Sequence, residues 1–316
     1  MYKTLLQKIY YTGLSSAGIA AMRLNKLRRE NKAAILNLHR VSPEDNAFWP
    51  PLHPAVFEEL LRYLKTNFEV CTIAELSEAK STKPLAVLSF DDGYYDFLEY
   101  ALPLLRKHGL RANMNIIPQC AISGKPIWNV RLYDFLNSAP HDLINEMEIP
   151  RFSVKLEDES SGAKLRFGLQ LSRHLKNRPR KEREELWQSI GPHLAKGGRS
   201  TRMMSTQEIR QIKDETEVGV HSYEHESMGY ESLDFFEEDL RKCQEYFDAE
   251  LEMPLTIYAF PNGSYKTEQI EVLRKSEIAQ ILLVGEQFAD PSSDVLHRLT
   301  TYGKTPGQVK MKALGF

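Results

Sequence analysis

Six short apolar runs, each set off by a turn or a helical pattern, constrain this chain more than any other feature. They are AAILNLHRV (33–41), LAVLSF (85–90), RANMNIIP (111–118), EVGVHS (217–222), LTIYAFP (255–261) and AQILLVG (279–285). Continuous apolar character without alternation is what a strand covered on both faces requires. Around them lie patterns of helical spacing: HPAVFEELLRYLKTNF with Phe57, Leu60, Leu61 and Leu64, FLEYALPLLRKHG closed by Gly109, STQEIRQIKDE, LDFFEEDLRKCQEYFDAEL and TEQIEVLRKSE. Strands alternating with helices imply parallel pairing with right-handed crossovers, and the number of units points to a closed barrel.

The alternation breaks over 118–216, far longer than the roughly 30 residues that one barrel unit takes. The patterns LYDFLN, AKLRFGLQLSRHLKN and KEREELWQSIGPHL make this a helical insertion, about 128–204, and not a loose loop. The barrel itself is expected over 33–303, with a C-terminal tail or helix over 304–316. An amphipathic helix is expected over 1–32, its apolar stripe formed by Tyr2, Leu5, Leu6, Ile9 and Tyr10. Thr12, Gly13, Ser15 and Ser16 interrupt the apolar stretch and the cluster Arg23, Lys26, Arg28 and Arg29 follows it, which favours a retained helix over a cleaved signal peptide. Three cysteines without short spacing, Cys71, Cys120 and Cys243, suggest reduced buried thiols in place of a disulfide framework or a cysteine zinc site.

The net charge of -2, from 41 Lys and Arg against 43 Asp and Glu, conceals a segregation. Residues 151–202 carry 13 basic and 6 acidic side chains and residues 1–32 carry 7 and 1, so the acidic excess falls on the rest. RHLKNRPRKEREE reads as a solvated helix pair, and its lack of interleaved aromatics argues against nucleic acid. The basic segments suit an anionic partner. The expectation is a cytoplasmic protein in peripheral contact with the inner face of the membrane through its N-terminal helix, with export as the alternative.

Polar clusters end three of the strands: Ser89-Phe90-Asp91-Asp92-Gly93, His221-Ser222-Tyr223-Glu224-His225 and Ala259-Phe260-Pro261-Asn262-Gly263. In a parallel barrel those ends open onto one face, where catalytic groups collect. One carboxylate with two histidines is an open ligand set for a divalent metal, leaving room for water and substrate. The spacing of His221 and His225 lets both imidazoles reach one point if the chain turns helically after His221. A second carboxylate is then available to take a proton from a water attacking a carbonyl carbon, the chemistry of amide or ester hydrolysis.

SFDDG followed by HSYEH and AFPNG resembles the polysaccharide deacetylases, the NodB-homology or carbohydrate esterase family 4 group, over most of 33–303 outside the insertion. LNLHRV and PIWNVRLYDFL (126–136) are similar to elements of the bacterial exopolysaccharide and O-antigen deacetylases of that family. The resemblance implies a distorted (β/α)7-type barrel and metal-dependent removal of N-acetyl or O-acetyl groups from a bacterial polysaccharide or lipid-linked glycan. Carried over residue by residue, it makes Asp91 the catalytic base and Asp92, His221 and His225 the ligands of a divalent metal, Zn²⁺ with Co²⁺, Ni²⁺ or Mn²⁺ as alternatives. Many members place an Arg where this chain has Ala259, and Arg298 in VLHRL is expected to supply that charge. Glu226 stands where a Pro usually follows the second His. No His lies near Leu282-Leu283-Val284, where the family's general acid would fall, so His39 is the expected acid, ahead of His297. The backbone N–H of Asn262, after Pro261, is the expected oxyanion donor. Trp128 is expected against the sugar and Arg131 against an anionic substituent, with packing of the insertion onto the barrel as the equal alternative. The competing readings are a deformylase or other non-peptide C–N hydrolase on the same scaffold, and a non-catalytic glycan-binding relative, which has no need of Asp91.

Overall fold

The computed structural model describes residues 17–44, 46–176, 178–194 and 200–316. Helix α1 (Ala17–Arg29) leads into strand β1 (Ala33–Leu38), helix α2 (Pro54–Asn67), the two-residue strand β2 (Glu69–Val70) and strand β3 (Leu85–Asp92). A π-helical turn at Phe97–Ala101 runs into α3 (Leu102–His108), which Gly109 closes in a left-handed conformation, and β4 (Asn113–Ile116) follows. Next come α4 (Pro118–Ser123), α5 (Trp128–Ser138), α6 (His141–Asn145), α7 (Ser161–Lys176), α8 (Arg180–Leu194) and α9 (Thr206–Ile212). The chain then alternates through β5 (Glu217–Val220), α10 (Leu233–Tyr246), β6 (Ile257–Ala259), α11 (Thr267–Arg274), β7 (Gln280–Val284), β8 (Val295–Thr300) and α12 (Pro306–Ala313).

Seven parallel strands close into a ring in the order β1, β3, β4, β5, β6, β7, β8 and back to β1. This is the (β/α)7-type barrel that the alternation implies. Strand β2 pairs only with the first residues of β3, on the edge that β4 takes further along.

Side chains in a strand alternate between faces, and here the two faces form separate apolar clusters. Ala33, Ile35, Leu85, Val87, Ile257, Ala259, Leu282 and Leu296 fill the floor of the barrel. Ala34, Leu36, Leu88, Phe90, Met114, Val218, Tyr258 and Leu283 face the helices. Continuing upward on the inward parity, the interior becomes polar: Asn37, Ser89, Asp91, Asn113, Asn115, His221 and Arg298 are all buried. Gly219 makes room in that layer, since a Cβ there would lie 2.5 Å from Asn115 Oδ1 and 2.9 Å from Ile257 Cβ.

The insertion has an apolar core of its own, built from Leu132, Phe135, Leu136, Phe167, Leu171, Leu175, Leu186 and Ile190. Helix α1 docks through buried Leu27, with Arg23 stacked on Phe288 and Phe316 and its Nε donating to the Leu314 carbonyl. The expected stripe from Tyr2 to Tyr10 lies outside the described residues. Among those described, no helix is long and apolar enough to cross a membrane. The C-terminal segment forms α12, with Val309, Met311 and Ala313 buried. Cys71, Cys120 and Cys243 are buried free thiols, as expected.

Candidate active site

Adjacent residues of a strand face opposite ways, so Asp91 and Asp92 should not share a site. The backbone solves this at the strand end. Asp91 keeps the inward parity of Ser89, while Asp92 (φ 77°) and Gly93 (φ 78°) are both left-handed and swing the second carboxylate to the same mouth. A left-handed aspartate is strained, and such strain concentrates at functional positions.

Asp91 is held by four hydrogen bonds from three residues. Arg298 Nη1 donates to Oδ1 at 2.7 Å and Nη2 to Oδ2 at 2.8 Å, while Asn115 Nδ2 and Asn37 Nδ2 donate at 2.8 and 2.7 Å. Ser89 Oγ sits beneath, accepting from Arg298 at 3.0 Å and donating to Asn113 Oδ1 at 2.7 Å. Burial alone would raise the Asp91 pKa, but the Arg298 charge and its hydrogen bonds outweigh it and hold Asp91 well below the usual carboxylate range. Arg298 therefore occupies the place expected of it. The asparagines were not anticipated as partners of Asp91; inward parity along β1 and β4 is the signal that finds them.

Asp92, His221 and His225 converge beside this pair. Asp92 Oδ1 lies 3.7 Å from His221 Nε2 and 3.4 Å from His225 Nε2. The loop that brings the imidazoles together is not the helical turn that the spacing suggested. Residues 221–227 are irregular, and left-handed Ser222 (φ 57°) and His225 (φ 63°) fold the chain back. His221 shares a 2.8 Å hydrogen bond between Nδ1 and the Ala259 carbonyl, so the donor Nδ1–H leaves the Nε2 lone pair facing Asp92. Burial holds both histidines below their usual pKa, hence uncharged at neutral pH, and burial reinforced by the Asp91 charge pushes Asp92 up to about 7. Asp92 Oδ1 is buried with no hydrogen-bond partner. Two neutral imidazoles and an orphaned carboxylate oxygen, their ligand atoms within 4.8 Å of one another, fit a divalent cation, which would supply the missing partner.

His39 continues the inward parity beyond Asn37, edge-on to Trp49 with ring centroids 5.1 Å apart, and it feels the charges of Asp91, His221 and Arg298. Burial, opposed by Asp91, pushes its pKa down to about 4. It is therefore uncharged at neutral pH, which an acid ready to donate is not. His297 has the opposite parity from Arg298 and does not join the cluster. Pro261 is buried and Asn262 is left-handed (φ 59°), its Nδ2 donating to Ser227 Oγ at 3.0 Å beside the His225 loop. Trp128 packs edge-on to Trp187 at 6.1 Å beneath Arg183, and Arg131 stacks on Trp187. Both line a cavity of about 310 Å³ with Glu224 and Glu226, and neither Asp91 nor His221 lines it. These ring and cation contacts join residues of the insertion to one another.

The charged run of the insertion is not merely a solvated face. Arg183 of α8 is buried and grips Glu226 with two hydrogen bonds of 2.7 and 2.5 Å, 43 residues apart in sequence. Arg180 pairs with Glu224 at 2.7 Å, and its backbone N–H donates to Glu231 at 2.6 Å. Part of the basic excess is thus neutralised inside the molecule, and the insertion is tied to the loop that carries His225.

The family model for polysaccharide deacetylase matches residues 187–281, a span that includes His221, His225 and Asn262 but neither aspartate. No curated protein matches. Among solved structures, the chain is similar to the Streptococcus pyogenes deacetylase PplD in complex with acetate, at 15% identity and TM-score 0.58, covering 89% of this chain and 98% of that one. It is likewise similar to IcaB from Ammonifex degensii, at 14% identity and TM-score 0.56 over 90% and 97% of the two chains. A de-N-acetylase from Aggregatibacter actinomycetemcomitans matches at 14% identity and TM-score 0.51 over 84% and 94%. At these identities the likeness is one of fold. Barrel, motifs and family model together define a hydrolase of the class acting on non-peptide carbon–nitrogen bonds. The match over residues 187–281 agrees with the motifs SFDDG and HSYEH, which resemble those of the NodB-homology polysaccharide deacetylases.

Proposed function

We propose that the protein removes N-acetyl groups from a bacterial glycan and that its reaction depends on a divalent metal, Zn²⁺ being the ion that suits two imidazoles and a carboxylate best. The observation that carries this is the convergence of Asp91, Asp92, His221 and His225 at one mouth, with Asp91 ionised under Arg298. Asp92, His221 and His225 would hold the metal, which supplies Lewis-acid polarisation of the acyl carbonyl and of the attacking water.

Asp91 receives the proton of that water. Its low pKa makes it a weak base on its own, so transfer relies on the water being acidified at the same time. Arg298, Asn37 and Asn115 fix the carboxylate against rotation, which keeps the receiving oxygen in place. The Asn262 N–H donates to the developing oxyanion. His39, neutral before the reaction, relays a proton to the departing amine. The basic last turn of α1, with Lys26, Arg28 and Arg29, supports work from the cytoplasmic side against an anionic membrane surface.

Asp91→Asn is the direct test. It should abolish acetate release from acetylated amino-sugar glycans while metal, measured by elemental analysis, stays bound; retained turnover would refute the assignment.

A further inference from the structure

Between the insertion and the barrel mouth lies a cavity of about 560 Å³, large enough for a sugar ring and a substituent. Asn262 and Ser227 form its barrel side, next to His225. Arg173 and Lys176, on one face of α7, line it from the insertion, together with Tyr133, and Tyr230 lines it from the barrel loops. No carboxylate lines it. Among the described residues neither Arg173 nor Lys176 is paired with an acidic group, although Arg180 and Arg183 on the next helix both are. Lys176 is only half exposed, and its charge bears directly on His225. Burying part of an ammonium without a counter-charge is unfavourable unless a ligand provides one.

We infer that the acylated sugar bears an anionic substituent, a phosphate or a carboxylate, that Arg173 and Lys176 receive across the mouth from Asn262. This rests on the deacetylase reading for the sugar but not for the anion. Exposed Tyr230 offers a ring face and a hydroxyl to the pyranose, and the two cations, three residues apart on α7, select the charged group.

Equilibrium binding to the zinc-loaded full chain tests it with deacetylated ligands that the enzyme cannot turn over: glucosamine 1-phosphate, muramic acid and methyl glucosaminide. At least one anionic ligand should bind about tenfold more tightly than the neutral glycoside, an advantage that shrinks at about 0.5 M salt. A preference for the first ligand identifies a phosphate, and for the second a carboxylate. The double variant Arg173→Gln with Lys176→Gln should lose the advantage while retaining zinc. Lys176→Arg should keep it where Lys176→Gln does not, a comparison that stands if the double variant fails to fold. Equal binding of all three ligands, or a preference that survives the double variant, overturns the inference. Acetate release measured separately keeps the two readings apart: release without anion preference sinks only this inference, and anion preference without release sinks only the deacetylase.

Discussion

Arg298 reaches from β8 across β1 to hold both oxygens of Asp91 on β3, at 2.7 and 2.8 Å. The planar fork matches a carboxylate in a way that an ammonium cannot. Arg298→Lys should therefore lower kcat by about 10- to 100-fold with metal content unchanged. Arg298→Met removes the charge that holds the Asp91 pKa down. Asp91 acts ionised, so the acidic limb of the pH profile of kcat/KM should move to higher pH. An unmoved limb in that variant would show that Arg298 does not govern Asp91.

His39→Gln separates two routes for the second proton. If His39 relays it, kcat falls by about 100-fold while zinc stays bound. Near-normal turnover would mean that Asp91 passes the proton to the amine directly.

The Arg183–Glu226 pair is buried, so removing one partner leaves an uncompensated charge. Arg183→Met alone should cost about 3–5 kcal/mol in denaturant unfolding, and combining it with Glu226→Gln should recover part of that. Because Glu226 follows His225, either single change should also weaken zinc affinity by about 10- to 100-fold, measured by chelator competition.

Both carboxylate oxygens of Asp239, on α10, share the one Tyr223 N–H at 3.1 Å, yet burial, aided by the Glu226 charge, pushes its pKa up to about 7. The unfolded chain returns it to about 3.9, so between those values the folded state binds more protons. Stability attributable to Asp239 is then present below about pH 4 and declines as pH rises to about 7. Asp239→Asn should flatten the change in urea midpoint across that window. The same slope in variant and parent would refute the assignment.

Gly219→Ala places a methyl group against Asn115 and Ile257 inside the polar layer. Overpacking of this kind should cost about 1–3 kcal/mol, read as a lower Tm.

Much of the barrel is legible in the chain because fully covered strands leave continuous apolar runs: β1 and β4 through β7 lie within them, and β3 runs past its own by Asp91 and Asp92. Strand β2 is too short, at two residues, to leave a pattern. The paired aspartates and histidines are legible as residue types, and Arg298 as a charge that Asp91 needs. What the residues do not display is backbone handedness. Nothing in Asp92, Ser222 or His225 marks a left-handed conformation, so the HSYEH loop reads as a helical turn. The Arg183–Glu226 contact is hidden for another reason: a pair 43 residues apart looks like two solvated charges until the fold brings them together.

That contact has a bearing on protein engineering. A designer wishing to change substrate range would naturally exchange helices 128–194 for those of another barrel, treating them as a detachable cap. Such a graft would strand Glu226 beside His225 without its guanidinium, so the acceptor loop and the donor helix must be transplanted as one cassette.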